Sequence, residues 1–235
     1  MRKNTLFVTI ALFSIQGFFF FNCSSDKIDT TQNTKYTGTE GALPVLKTGD
    51  TWTMGYMYIN ETPCEITNKV IGEDVVNGKL CYILNSIFEP PLLPQMLLIV
   101  DKSTLDIMTI LSFIITEEDS FETNVNYSYT YFDSLMFPLE TGKTWKVKET
   151  ESILTTIRNE TITQDTTSIY TYIVEKIEEI EVPAGTFNCF RIVKYNEDGD
   201  KEVTWWYSDD AKTNIKEFEH ETGEDIVLVS YSVTF

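Results

Sequence analysis

The chain has 235 residues and a formal net charge of −18, with 36 aspartates and glutamates against 18 lysines and arginines. A surface of that sign repels nucleic acid and anionic lipid head groups, which argues against a nucleic-acid-binding role. The same acidity keeps an exposed protein soluble, so it does not by itself require a partner.

The first 22 residues have the layout of a targeting segment. Arg2 and Lys3 precede the apolar run Leu6–Phe21, and Cys23 lies just beyond it. A short cationic start followed by an apolar run is typical of a signal peptide, and the run is shorter than the ~20 residues that span a bilayer. We predict a signal peptide over residues 1–22. Its removal changes the net charge from −18 to −20, because two cations leave with it and no acid does.

The cysteine at this boundary resembles the lipobox of bacterial and archaeal lipoproteins, with Phe20-Phe21-Asn22 in place of the usual Leu-Ala-Gly. The resemblance implies that Cys23 is acylated and that its lipid anchors an exported chain on the extracytoplasmic side of a membrane. The alternative is an N-terminal anchor that is never cleaved, which gives the same location. Residues 23–41 are then the lipidated cysteine and a flexible tether, because the segment is rich in Thr, Asn, Gly and Asp.

Residues 42–235 are long enough to form a single β-rich domain with its own core. They contain Cys64, Cys81 and Cys189. One disulfide with one thiol left over is one alternative outside the cytoplasm. Because Cys81 and Cys189 lie in apolar, strand-like runs, burial as apolar side chains is favoured. No CxxC motif or Cys/His cluster occurs, so we expect neither a metal nor a cofactor.

Alternation between apolar and polar residues dominates the domain, as in Tyr127, Tyr129 and Tyr131, or in Ile226 and Leu228. Val, Ile, Thr and Tyr are abundant, and no long stretch keeps a helical period. The pattern predicts an all-β fold of antiparallel strands, with at most a minor helix.

Three sequence blocks recur in the same order, about a hundred residues apart. The first block, Leu46–Trp52, recurs as Leu139–Trp145. The second, Val75–Tyr82, is similar to Val182–Phe190, and the third, Leu98–Ser103, is more weakly similar to Trp205–Asp210. Two copies are too few and too long for a solenoid. The repeat predicts two similar halves, about 42–135 and 136–235, fused into one curved sheet or an open half-barrel.

The clearest predicted hairpin turns at Asp198-Gly199, a dipeptide typical of two-residue turns. A turn there places Ile192 opposite Trp205 and Phe190 opposite Tyr207 on an apolar, aromatic face. On the other face, Arg191 then meets Trp206 and can form a cation–π contact.

The loop from Glu89 to Pro94 holds three prolines, which exclude it from a central strand, and leucines and a methionine follow. We consider three roles: an apolar lip at the mouth of a ligand cavity, a surface that contacts a membrane or partner, or a loop folded onto the core.

The run Val182–Ile192, which includes Val-Pro-Ala-Gly-Thr-Phe, and the aromatic run Trp205–Tyr207 resemble a loose group of exported prokaryotic proteins of unknown function. The segment after them, Ala211–Ile215, departs from the Val-Gly-Leu-Val-Lys type of sequence usual there. The resemblance implies a half-open antiparallel barrel similar to the lipoprotein carriers of the LolA/LolB type, whose concave side holds acyl chains.

No hydrolase, metalloprotease or phosphate-loop motif is present, and the single histidine, His220, lies in an acidic stretch. We therefore expect no catalytic residues and a non-catalytic cell-envelope lipoprotein. Its candidate ligand cavity for a lipid or other apolar molecule is lined by aromatic side chains: Trp52, Trp145, Phe190, Trp205 and Tyr207. One alternative is that these rings fill a closed core. Another is that the domain is a surface protein-interaction or envelope-structural module with an unidentified protein partner.

Overall fold

The computed structural model describes residues 40–59, 62–89, 96–115, 120–132, 134–157 and 160–235. These ranges contain β-strands and turns but no α-helix, which confirms the all-β prediction. Nowhere in them is there a helix long and apolar enough to cross a membrane. The strands are β1 Glu40–Gly41, β2 Thr51–Ile59, β3 Thr62–Val76, β4 Lys79–Glu89, β5 Met96–Asp101, β6 Ile107–Ile115, β7 Ser120–Tyr131, β8 Leu139–Glu140, β9 Thr144–Ile157, β10 Glu160–Val182, β11 Gly185–Tyr195, β12 Lys201–Ser208, β13 Thr213–Glu219 and β14 Asp225–Ser232.

Twelve of the strands form one closed barrel in which each strand pairs antiparallel with its neighbours in the chain. The remaining two, β1 and β8, pair only with each other. Closure comes from β14, which pairs with β2 at Leu228 and Met54. The sheet was expected to be curved or half-open, and it closes because pairing the first and last strands leaves neither with an unpaired backbone edge.

Because neighbouring strands alternate in direction, the connections fall at two ends of the barrel. The lower end carries residues 41–50, 77–78, 102–106, 132, 134–143, 183–184, 209–212 and 233–235. The upper end carries the turns at 196–200 and 220–224, together with the strand ends on either side of the undescribed segments 60–61, 90–95, 116–119 and 158–159. The predicted proline-rich lip thus lies largely outside the described residues.

The recurring sequence blocks occupy matching places in the strand order. The Gly49 amide donates to the Val70 carbonyl over 2.8 Å, and the Gly142 amide donates to the Val174 carbonyl over the same 2.8 Å. Both glycines have positive φ, at 101° and 86°, which favours glycine over residues with a Cβ atom. A β-bulge then follows Val70 in β3 and Val174 in β10. Each repeat therefore begins a run of six barrel strands, β2–β7 and β9–β14.

The hairpin β11–β12 has the predicted register, with Phe190 opposite Tyr207 and Ile192 opposite Trp205. The Arg191 guanidinium lies 5.6 Å from the centre of the Trp206 ring, as predicted for the outer face. The turn is longer than the two residues expected. A bulge between Lys194 and Tyr195 shifts the register by one residue, and the loop 196–200 closes on the hydrogen bond from the Asn196 amide to the Asp200 carbonyl.

The lower end of the barrel is plugged by the two segments that precede β2 and β9. Leu46, Phe137 and Leu139 from these segments are buried in the hydrophobic core. Pairing of β1 with β8 brings Gly41 so close to the Phe190 ring that a Cβ atom there would lie 2.9 Å from the ring edge. The plug makes this end of the interior a packed core.

All three cysteines of the described ranges carry free thiols and are buried, so the alternative of a disulfide is wrong. Cys81 and Cys189 are fully buried within β4 and β11, as the apolar runs around them predicted. The Cys81 thiol contacts the Met108 sulfur at 3.5 Å, which is apolar packing between two sulfur atoms.

Candidate functional site

The five aromatic residues predicted to line a cavity are all buried in one hydrophobic cluster: Trp52, Trp145, Phe190, Trp205 and Tyr207. The Trp52 indole N–H donates to the Ala211 carbonyl over 2.7 Å. The Tyr207 ring meets Phe137 of the lower plug edge-on at 5.6 Å between ring centres. These contacts place Trp52 and Tyr207 against the plugged end.

Trp145, Tyr172 and Trp205 form a continuous stack across the interior, which we name the aromatic floor. The Tyr172 ring stacks on Trp145 at 5.1 Å and on Trp205 at 5.8 Å between ring centres. Offset stacks of this kind add to the stabilisation that burial of the rings provides. Two of the five predicted residues, Trp145 and Trp205, are therefore joined through Tyr172.

Three ionisable side chains lie inside the barrel on the upper side of this floor. Glu149, Lys194 and Glu217 are 4%, 2% and 4% exposed. Strand pairing explains their position, because Lys194 lies opposite Tyr172 and Glu217 lies opposite Trp205. We name the three residues the ionisable cluster.

Lys194 is the cation of the cluster. Its Nζ atom lies 3.6 Å from the centre of the Tyr170 ring and 3.5 Å from Oε2 of Glu202. The first distance is that of a close cation–π contact, and the second is a long ion pair. Lys194 therefore faces both a ring and a carboxylate at the upper edge of the floor.

The carboxylate oxygens of the two glutamates in the cluster differ in their hydrogen bonding. Glu217 Oε2 accepts a hydrogen bond of 2.9 Å from the Trp205 indole N–H. Glu149 Oε2 is fully buried and has no hydrogen-bond partner among the residues described. A buried polar atom without a partner costs about 1–3 kcal/mol, and more when the group is charged.

Burial dominates the acid–base behaviour of both glutamates. It raises the pKa of Glu217 to about 8, with Glu219 adding to the rise and the Trp205 hydrogen bond and Lys194 opposing it. Burial also raises the pKa of Glu149, and here Lys194 is the main opposing influence. Glu217 is therefore mostly protonated at neutral pH, so the cluster contains fewer negative charges than carboxyl groups.

The barrel wall is incomplete beside this cluster. β10 pairs with β11 only from Thr171 onward, whereas its pairing with β9 continues up to Glu160. Residues Glu160–Tyr170 thus have a backbone edge without a strand partner in the described part of the chain. Tyr170, half-buried, is the last inward-facing residue of β10 before pairing with β11 begins. The cluster lies next to the gap that this leaves.

Sequence reasoning did not find Glu149, Lys194 or Glu217, although a signal for them was present. Each continues an alternating apolar face: Glu149 follows Trp145 and Val147, Lys194 follows Ile192, and Glu217 follows Ile215. A charged residue in phase with the inward face of a strand predicts a buried charge.

The remaining predicted features lie elsewhere. Cys23 is outside the described residues. His220 is at the upper turn between β13 and β14, where its Nε2 atom is 2.9 Å from the Thr204 hydroxyl. Within the described ranges, no three His, Cys, Asp or Glu side chains form a group that could hold a metal ion.

No protein-family model matches the chain, and no curated protein matches it. Two solved structures do. One is a "putative exported protein with YmcC-like fold" from Bacteroides fragilis NCTC 9343, at 10% identity and a TM-score of 0.37, over 80% of this chain and 97% of that one. The other is a "putative lipoprotein" from Parabacteroides distasonis ATCC 8503, at 11% identity and a TM-score of 0.34, over 80% and 96% of the two chains. At these TM-scores the likenesses establish neither a shared fold nor a function.

Proposed function

We propose that this chain is an exported, non-catalytic lipoprotein of the cell envelope, held to a membrane through an acylated Cys23. The support is the cationic start, the short apolar run and the cysteine that follows it. Metabolic labelling with an alkyne fatty acid should mark the native chain and not Cys23→Ala. Equal labelling of both, or unchanged membrane partition of the variant, would contradict the acylation.

Within the barrel, the function that the geometry supports best is binding of a small molecule with an apolar body, which enters at the upper end beside β10. One observation carries this proposal: the ionisable cluster is buried directly against the aromatic floor, and a carboxylate oxygen of Glu149 has no partner among the described residues. Burying an ion costs several kcal/mol, and apolar replacements of buried ion pairs are often neutral or stabilising. A buried carboxylate without a hydrogen-bond partner does not stabilise a core, whereas binding sites commonly contain such a group.

Binding accounts for the cluster better than catalysis does. In the described part of the chain, no serine, threonine or cysteine side chain hydrogen-bonds to Glu149, Lys194 or Glu217. Nucleophilic catalysis requires a nucleophile within hydrogen-bond reach of its base. The contacts that are present join charged groups to aromatic rings, an arrangement suited to holding a ligand.

Native mass spectrometry with lipid extraction tests this proposal on the full-length protein extracted from its membrane. We expect an apolar molecule to co-purify at close to one per chain and to be largely lost in Tyr170→Ala, which alters the side chain at the gap. Tyr231→Ala is the matched control, because Tyr231 is a partly exposed tyrosine of β14 near the lower end. A clean mass for the native chain, with no uptake of added lipid, would refute ligand binding in the barrel.

A second candidate function, a protein-interaction module, is favoured by the unpaired edge of β10. Residues Thr161–Thr167 are all exposed, and the segment contains neither proline nor lysine, the residues that usually protect an edge strand. Such an edge can accept an extended segment of another protein as an added strand. A photo-crosslinking residue at Gln164 should then capture a partner in intact cells, whereas one at Lys148, which is paired on both sides within β9, should not.

A further inference from the structure

Carboxyl groups outnumber cations around the ionisable cluster. The charge of Lys194 acts to lower the pKa of both Glu149 and Glu217, and Glu202 lies 3.5 Å from the Lys194 ammonium group. One ammonium group therefore lies among three carboxyl groups. Because Glu217 is mostly protonated at neutral pH, the negative charge comes from Glu149 and Glu202. A cluster of this composition disfavours an anionic ligand and favours a cationic one, because the interior screens charge less than water does.

The aromatic side chains around the cluster present the other surface that attracts cations. The Tyr170 ring already holds the Lys194 ammonium group at 3.6 Å. Tyr172 and Trp205 of the aromatic floor lie on the neighbouring inward positions of β10 and β12. Ring faces together with carboxylates are the usual means by which proteins bind ammonium groups.

The unpartnered oxygen of Glu149 shows where a donor is missing. Glu149 is 4% exposed, and its Oε2 atom has no hydrogen-bond partner in the described ranges. Its strand neighbour on β10 is Ser168, which is half-buried and lies on the unpaired part of that strand. The unpaired part of β10 therefore lies beside the strand position of Glu149.

We propose that the barrel binds a primary ammonium compound with an apolar or aromatic body, whose ammonium group pairs with Glu149. This inference rests on the proposed binding function and adds the chemical class of the ligand. The ammonium group pairs with the unpartnered oxygen of Glu149, and the apolar body extends toward the gap beside β10. Lys194 repels a second cation, but it also lowers the pKa of Glu149 and so favours the ionised carboxylate that the ammonium group pairs with.

The test uses three water-soluble probes of matched size: phenylethylammonium, phenylethanol and 3-phenylpropanoate. Each is titrated calorimetrically at pH 7 into the full-length protein in detergent, with empty micelles as the blank. We expect phenylethylammonium to bind at least about tenfold more tightly than phenylethanol, and the carboxylate to bind most weakly. Glu149→Gln should lower the affinity for the ammonium probe about tenfold and change that for phenylethanol less than twofold.

A control variant and an internal control keep the test decisive. Glu179→Gln, on an exposed position of β10, is the matched control and should leave all three affinities unchanged. Retained binding of phenylethanol by Glu149→Gln excludes misfolding as the cause of the lost affinity for the ammonium probe.

The outcomes separate this inference from the proposed function. Equal binding of the ammonium and alcohol probes, or preference for the carboxylate, overturns the ammonium assignment and leaves apolar binding standing. Binding of no probe overturns the ammonium assignment, and the co-purification experiment then decides the fate of the binding function by itself.

Discussion

Glu217 couples the stability of the barrel to pH, and Glu217→Gln should remove that coupling. The carboxyl group is 4% exposed and accepts a hydrogen bond from the Trp205 indole. Burial raises its pKa from the ordinary 4.5 to about 8. The folded chain therefore retains a proton that the unfolded chain releases between these two values. The stabilisation is fully present below about pH 4.5 and is lost as the pH rises through about 8.

The magnitude follows from the span between the two pKa values. One pH unit corresponds to at most about 1.4 kcal/mol, so the whole span is worth about 5 kcal/mol. A glutamine keeps the shape of the neutral carboxyl group and can accept the same hydrogen bond through its amide oxygen. The variant should lie within about 1 kcal/mol of the native protein at pH 5 and exceed it by several kcal/mol at pH 9.

Urea unfolding of the native chain and of Glu217→Gln at pH 5, 7 and 9 measures this difference. Asp106 and Asp209, whose pKa values burial raises to about 6 and about 7, also give the native protein a pH dependence. Their contribution cancels in the difference between native and variant. Glu179→Gln is the control on an exposed position. A difference between native and Glu217→Gln that stays constant within about 0.5 kcal/mol would refute the reasoning, because it would mean that folding leaves the protonation of this carboxyl group unchanged.

Three other outcomes are expected. Burial raises the pKa of the three buried thiols, Cys64, Cys81 and Cys189. A thiol reagent such as DTNB should therefore label none of them in the folded protein and all of them in denaturant. Lys212→Met should lower the free energy of unfolding by roughly 2 kcal/mol in urea titrations, because the Lys212 ammonium group donates to the carbonyls of Val45 and Thr234. An unchanged free energy of unfolding would mean that water replaces both hydrogen bonds. Gly49→Ala and Gly142→Ala should each lower the free energy of unfolding by about 1 kcal/mol, because positive φ strains alanine while the space around both glycines is open. Markedly unequal losses of stability would show that the two turns are not equivalent.

The ligand-binding and protein-interaction proposals depend on different features of β10. Ligand binding depends on the inward side of β10, where Tyr170 lies over Lys194. Strand addition depends on the backbone edge of Thr161–Thr167, on the unpaired part of the same strand. A variant such as Tyr170→Ala should therefore affect the first function and leave cross-linking from Gln164 intact.

Local patterns were sufficient to predict the strands and their faces. Alternation placed Phe190 and Ile192 on one side of β11, and the hairpin register then put Tyr207 and Trp205 opposite them. The repeated blocks Leu46–Trp52 and Leu139–Trp145 predicted two similar halves, and their turn glycines, Gly49 and Gly142, precede the first strand of each run. These features depend on the two-residue period of a strand and on the φ angles that a turn requires, and both are properties of neighbouring residues.

The sequence by itself thus determined the all-β class, the inward faces and the register of the hairpin. Only the tertiary structure decided that the sheet closes, because the pairing of Leu228 with Met54 joins strands at opposite ends of the domain and no local spacing encodes it. Closure also brought Glu149, Lys194 and Glu217 into one cluster, since they lie on three separate strands. The side-chain period of a strand shows which way a charge points, but only the closed barrel shows which other charges it meets.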